Sequence, residues 1–459
     1  MMKLQKSGLV VVAVVGLAGF FATKCYGLPE VKTGSSAEAK VNAFFDVGPL
    51  GSENKLPADE VFPRGRKFPF SFYSVGGGSM NKRGELLPEA EKIADQDHIL
   101  AAGVTLVGPQ YELNDEIVAL AKRGKCKAIY TLTPVFEGQP INIKSFQEWS
   151  KAKRPVPFDD LMKSLAEQVR AVASNPEIAW WDVTPEELRW WVKNEMTYLE
   201  LATKTVREND PMKRPVMMYD PGHRGATSLA KTNRFLDFSS KGMYTNYSGH
   251  RADRAWNIWS IQQELEAKKI LQRDDLVILA LPEMFQQPKE EELPLVPSWV
   301  RYDVYSALVT GAQGIVVFSA SKRSKFTARE LYLENYLTIC RELTGPLQLG
   351  QVFLFGQAMN DLTLNQSTGP KEVSVKVGKD AVFNCPTLTL GNKAWNHCRF
   401  VFVVNSSAEQ ASGTVEGIPL SKDVKIRPLW GESTTCPLQD GKISFTLPAW
   451  GVAGWMLYR

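Results

Sequence analysis

The sequence predicts an α/β protein in two parts, a (β/α)8 TIM barrel followed by a small antiparallel β-sandwich, and three observations predict it. Between residues 68 and 348 short β-rich runs alternate with longer amphipathic segments, the pattern of a parallel sheet connected by helices. Eight such runs occur in about 280 residues, the size of a closed barrel, whereas a doubly wound sheet more often uses five to seven strands. After Leu349 helical patterning gives way to strand-like runs separated by turn residues at the spacing of a sandwich.

Residues 1–27 read as an export signal, because Met1 to Lys6 is basic and Gly8 to Ala22 is apolar but shorter than a bilayer span. Cleavage is expected after Gly27, with Cys25 and Gly27 as the small flanking residues. Residues 28–67 mix Gly, Ser, Pro and charge without periodicity and read as a linker or a strap over the first domain.

The barrel strands are expected at Phe68–Val75, Val104–Val107, Ala128–Leu132, Ile178–Asp182, Val216–Tyr219, Gly242–Thr245, Leu276–Ala280 and Gly314–Phe318. Helical spacing covers Asn114–Arg123, Phe158–Ala173, Pro185–Glu208 and Ala255–Lys269. Gly76-Gly77-Gly78 after the first strand lacks the spacing of a phosphate cradle. In residues 349–459 strands are expected at Gln351–Phe355, Glu372–Val377, Phe400–Val404, Gly413–Val415, Val424–Pro428, Lys442–Leu447 and Gly454–Tyr458.

The chain has 459 residues, 54 Lys and Arg against 50 Asp and Glu, and 44% hydrophobic content. Without Lys3, Lys6 and Lys24 it is nearly neutral, which argues against a nucleic-acid partner and, after signal cleavage, against a stable membrane partner. Oligomeric state is not legible. No Cys/His spacing suggests structural zinc and no motif calls for a cofactor. Export and the clustering of cysteines late in the chain predict a Cys385–Cys398 disulfide.

In a barrel of this kind the site lies where the strands end. Glu283 follows strand seven directly after an apolar run, the place for a catalytic carboxylate. Strand four runs into Trp180-Trp181-Asp182-Val183-Thr184-Pro185-Glu186-Glu187, three carboxylates at the mouth. Thr184, Pro185 and Glu187 have the spacing of a capping box, which leaves Glu186 as first candidate for general acid/base, with Asp182 and Glu187 still open. Glycosidic cleavage needs two such groups, one protonated toward the leaving oxygen and one ionised.

Gly222-His223-Arg224 and Gly249-His250-Arg251 follow strands five and six, and Lys322-Arg323 follows strand eight. Together they would form a cationic wall suited to a carboxylate or sulfate, unless the arginines pair with neighbours such as Asp220 and Asp253. Adjacent arginines disfavour a metal at His223 and His250. Tyr73, Tyr111, Tyr219, Tyr247 and Trp181 are the candidate surfaces for stacking on sugar rings.

With Glu283 after strand seven, with Asp210-Pro211 and Arg214-Pro215-Val216 before strand five, and with the helical stretch from Pro297 to Ile315, the chain resembles clan A type glycoside hydrolases. The resemblance implies an acid/base after strand four, a nucleophile after strand seven and a retaining reaction on an oligo- or polysaccharide. It departs at strand four, which lacks the usual Asn-Glu pair; Asn194-Glu195 falls within the predicted helix, on its surface. The function expected is a secreted or periplasmic glycoside hydrolase acting on an acidic glycan. The competing expectation is a noncatalytic carbohydrate-binding or scaffold protein on a degenerate barrel.

Overall fold

The computed structural model describes residues 36–46, 55–76, 85–110, 114–430 and 438–459. The expected signal segment 1–27, Gly77, Gly78, Tyr111 and Cys436 lie outside the described residues. No described helix is long and apolar enough to cross a membrane.

Each of the eight expected parallel strands is present, most of them shorter than the apolar run that encodes it. They are β1 (Phe70–Phe72), β2 (Leu106–Val107), β3 (Lys127–Leu132), β4 (Ile178–Val183), β5 (Val216–Met217), β6 in two pieces (Phe238–Ser239 and Gly242–Met243), β7 in two pieces (Val277–Ile278 and Leu281–Pro282) and β8 (Ile315–Val317). β2, β3, β4 and β5 form one parallel sheet in that order. β6 pairs with β7, and β8 with β1, also in parallel. Further backbone bonds bridge these groups, among them Asp237 N–H to Val216 O (2.9 Å), Val316 N–H to Ala280 O (2.9 Å) and Gly108 N–H to Phe72 O (3.1 Å).

The helices are α1 (Ser36–Phe45), α2 (Glu89–Ala101), α3 (Asn114–Gly124), α4 (Ile143–Lys151), α5 (Phe158–Val172), α6 (Lys193–Asn209), α7 (Ala226–Asn233), α8 (Trp256–Leu271), α9 (Val296–Thr310), α10 (Arg329–Thr344) and α11 (Leu349–Phe355). α5 shows the rule behind them, with Leu161, Leu165 and Val169 at fourfold spacing buried on one face. Alternate residues of each strand then face opposite sides. One set, including Phe70, Ala128, Trp181 and Ile315, packs under the helices. The other set, Leu106, Ile129, Trp180, Met217, Phe238, Leu279 and Val316, forms a separate interior cluster that Val61 joins from the preceding segment.

Two expected elements differ. Gln351–Phe355 was expected as a strand and is the greater part of α11; its residues are nearly all apolar, so periodicity cannot separate helix from strand in so short a run. The helix expected from Pro185 starts only at Lys193, because Thr184 turns its hydroxyl to Leu132 O (3.2 Å) and Thr133 Oγ1 (3.0 Å) instead of capping a helix.

The C-terminal strands are β9 (Gln357–Ala358), β10 (Thr363–Thr368), β11 (Glu372–Lys376), β12 (Val382–Pro386), β13 (Leu388–Trp395), β14 (Cys398–Asn405), β15 (Ala411–Glu416), β16 (Lys425–Pro428), β17 (Lys442–Leu447) and β18 (Val452–Tyr458). Antiparallel sheets β9-β13-β14-β18-β16 and β10-β15-β17 face each other across Val401, Val403, Val415, Phe445 and Trp455. The other face of β14 presents Phe400, Phe402 and Val404 to the barrel helices, where Tyr305 packs at a tilt against Trp430 (4.6 Å) and Tyr302 donates to Ser406 Oγ (3.0 Å).

Within 28–67, α1 lies on the sandwich: Val41, Phe44 and Phe45 are buried in its core, and Arg399 donates to Phe44 O (2.7 Å). The predicted disulfide is corrected. Cys385, on the β11–β12 hairpin, is buried against Trp256 and Trp259 of α8, while Cys398 opens β14, so the two thiols are free and sit in different surroundings.

Candidate active site

Glu283 lies two residues beyond Leu281, so the strand alternation carries it onto the interior face at the end of β7. It is 1% exposed. One carboxylate oxygen accepts the Asn246 N–H and the other the Tyr247 N–H (3.1 Å), both from the loop after β6. Burial pushes its pKa up to about 7, against the pull of those two amides and of Arg254.

A buried network holds that loop. Arg254 donates to Asn246 Oδ1 (3.0 Å) and grips Asp303 of α9 through two bonds, one of them Nε to Oδ1 (2.9 Å). Asn257 donates to the same Asp303 oxygen (2.6 Å), and Asn246 Nδ2 to Tyr332 Oη (3.1 Å). Sequence reasoning missed Arg254, Asn246 and Asp303. The one signal available was an aspartate inside the apolar helical stretch Tyr302-Asp303-Val304-Tyr305.

The three carboxylates at strand four separate by depth. Asp182 is fully buried in the interior; Thr131 donates to Oδ2 (3.0 Å), Oδ1 has no hydrogen-bond partner among the described residues, and burial pushes its pKa up to about 7. Glu186 is half-buried and Glu187 exposed, on the irregular stretch before α6. The capping-box role is corrected: Glu187 has φ +60°, a left-handed conformation outside any helix. Glu195, expected on the surface, is fully buried and accepts from Arg189 N–H (2.5 Å) and Nε (2.8 Å), which folds the preceding loop back onto α6.

Tyr219 and Tyr244 stack at 5.7 Å and 14°. Burial raises both phenols most; Glu187 and Glu186 add to the rise at Tyr219, and Glu186 and Glu283 at Tyr244. The ring pair therefore lies within the fields of carboxylates from both sides. Around it, Tyr244 meets Phe285 (5.2 Å) and Phe318 (5.5 Å), Tyr73 meets Phe318 (5.2 Å), and Tyr247, 68% exposed, meets Phe285 (5.7 Å). Arg323 lies over Phe285 (5.2 Å) and Phe318 (5.6 Å) and donates to Ser319 Oγ (2.9 Å).

Other expected contacts fall elsewhere. Trp181 is corrected: it points outward under the helices, donating to Asp210 (2.9 Å) beneath the Arg214 guanidinium (4.5 Å). Tyr73 is wholly buried, a floor residue. Arg224 is buried, bonded to Asp220 and to Leu188 O, so it is a brace between loops. Arg251 pairs with Glu292, and Lys322 with Asp95 (3.5 Å) and Glu330 (3.4 Å). His250 stacks on Trp256 (4.2 Å), while partial burial and the neighbouring Arg224 lower the pKa of His223, with Glu187 opposing. The proposed cationic wall is thus largely neutralised by the protein's own acids. No cluster of three potential metal ligands occurs among the described residues.

No family model matches the chain, and no curated protein is similar to it in sequence. Solved structures are similar in fold. An α-amylase from Anoxybacillus superimposes with a TM-score of 0.52 at 11% identity, covering 86% of this chain and 98% of its own. A family 39 glycoside hydrolase from Bacteroides cellulosilyticus WH2 does so at 0.50 and 9%, over 86% and 82%. An α-amylase from H. orenii gives 0.50 and 10%, over 85% and 99%. At these identities the likeness is one of architecture, and the chain shares the fold of glycoside hydrolases.

Proposed function

We propose that the chain is an exported, retaining glycoside hydrolase with Glu283 as nucleophile and Glu186 as acid/base. The observation that carries this reading is the Tyr219–Tyr244 pair, on which the charges of Glu186 and Glu283 both act. The fold likeness to glycoside hydrolases supports the reaction class. Bonds from β1 to both β2 and β8 support a closed barrel with its site at the strand ends.

In the first step the Glu283 carboxylate bonds to the anomeric carbon as the glycosidic C–O bond breaks, and the Glu186 proton goes to the leaving oxygen. Water then attacks the same carbon, gives its proton to Glu186 and releases Glu283, so the configuration is retained. The aromatic wall of Tyr244, Tyr247 and Phe285 suits the apolar face of a sugar ring. The acidic-glycan form of the reading narrows to Arg323, the one Arg or Lys of the expected wall for which neither an acid partner nor a brace bond to a distant loop is seen among the described residues.

A second reading, a noncatalytic sugar-binding barrel, is favoured by the engagement of both Glu283 oxygens with backbone N–H groups at 1% exposure. A screen of neutral, uronic and sulfated oligosaccharides separates the two. Turnover with product of retained configuration by NMR supports the hydrolase. Calorimetric binding without turnover supports the second reading.

A further inference from the structure

A cavity of about 340 Å³ opens on the strand-four side of the site. Its lining is Thr133, Pro140, Ile141, Asn142 and Ile143 on one side and Thr184, Pro185, Glu186 and Glu187 on the other. Local sequence builds it: after β3 the chain forms a short hairpin, Val135–Phe136 with Gln139–Pro140, and returns through Ile141 N–H to Pro134 O (2.8 Å) into α4. Glu283, Tyr219 and Tyr244 are not among its lining residues, whereas Glu186 is.

We propose that this cavity is the leaving-group site of the cleft and takes one neutral or amino-bearing pyranose while excluding a uronate. The assignment rests on Glu186 being the acid, since the group that protonates the leaving oxygen must lie against the departing sugar. The volume is at the lower end of small-molecule sites, which start at about 300 Å³, so it suits a single ring more than a chain of them.

Its chemistry selects the class of ring. Pro140, Ile141, Ile143 and Pro185 offer an apolar surface for the C–H face of a pyranose, and Thr133, Thr184 and Asn142 lie along its polar edge. Glu187 borders it as a carboxylate beside Glu186, which holds the proton it donates, and no Lys, Arg or His is among the described lining residues. The start of α4 does not reverse that balance, because Asn142 Oδ1 already accepts the N–H groups of Lys144 (2.9 Å) and Ser145 (3.3 Å). A uronate here would meet like charge without compensation, whereas an ammonium would be drawn to Glu187.

The test reads binding, not turnover. The full chain carries 13C-labelled isoleucine δ1 methyls, with Ile141 and Ile143 signals assigned from Ile141→Leu and Ile143→Leu, and is titrated with glucosamine, glucose and glucuronate. Glucosamine and glucose should shift both signals saturably, glucosamine binding about threefold tighter, and glucuronate should leave them unmoved. Glu187→Gln should abolish the preference for glucosamine, and Ile143→Trp, which fills the space, should abolish the shift at Ile141. Glucuronate binding as tightly as glucosamine, or no response to any of the three, overturns the assignment. Because the readout needs no catalysis, a chain that turns over glycans but shows silent isoleucines loses this site alone. A chain that binds glucosamine here but hydrolyses nothing keeps the sugar site and loses the hydrolase reading.

Discussion

Glu283 combines burial with two amide donors, so its environment decides both its charge and its aim. Replacing it as Glu283→Gln should lower kcat by several orders of magnitude with the fold retained, and a variant keeping more than a few per cent of activity would remove it from the nucleophile role. The attacking form is the carboxylate, and with a pKa of about 7 its ionised fraction falls as pH drops through neutrality. The acid limb of kcat/KM should therefore centre near pH 7, and a limb near the ordinary glutamate value would contradict the buried placement. Asp182 offers a stability test from the same upward shift, with the opposite pH dependence. Its folded pKa, about 7, lies above the unfolded value of 3.8, so between those values the unfolded chain releases a proton that the folded one keeps, and stability falls as pH rises. Asp182→Asn should be more stable than the parent at pH 8 by roughly 4 kcal/mol in urea melts, and the gain should shrink toward pH 4.5. Glu283 was legible because an apolar strand points straight at it. Arg254 and Asp303 were not, because they meet across 49 residues and neither has a local motif.

At the level of elements, the loops after β4 and β6 bring the candidate carboxylates into one site, the first tied by the partly exposed Arg189–Glu195 pair and the second by a buried ion pair. The tie on the β6 loop is Arg254–Asp303, with Arg254 fully buried and also lying over Trp299 at 4.8 Å. Asp303→Asn would leave that guanidinium without its counter-charge, and a loss of roughly 3–5 kcal/mol is expected by urea unfolding. A loss below about 1 kcal/mol would show that Asn246 and Asn257 suffice to hold the loop. The eight parallel strands were readable because strands covered on both faces are written as nearly continuous apolar runs. Their ends were not, since the first polar residue past the apolar run can still face inward, as Asp182 and Glu283 do. The loop from Pro185 to Val192 read as helix because its local spacing fits one. Tertiary bonds from Arg224 to Leu188 O and from Arg189 to Glu195 hold it irregular.

Across the whole molecule, α9 serves two partners, with Asp303 turned toward the Arg254 loop and Tyr302 and Tyr305 toward the sandwich. The interface is apolar and continuous with the core under the barrel helices, through Phe400, Phe402, Trp450 and Val452. A chain ending at residue 348 should expose that face and fail to give a soluble, cooperatively melting barrel; a fragment that melts sharply would show that the sandwich is dispensable for folding. The two-domain order was plain from the change in patterning near Leu349, whereas the docking of α1 onto the far domain was not, because nothing local in Ser36–Phe45 names its partner. That docking sets a timetable. Phe44 is joined by Arg399, 355 residues later, so at about 5–20 residues per second the helix waits on the order of tens of seconds after synthesis before its receptor surface exists. Through that interval Val41, Phe44 and Phe45 have no apolar surface of the sandwich to cover them, a handle for a chaperone or a protease. Only a chain translated through β18 can withdraw it.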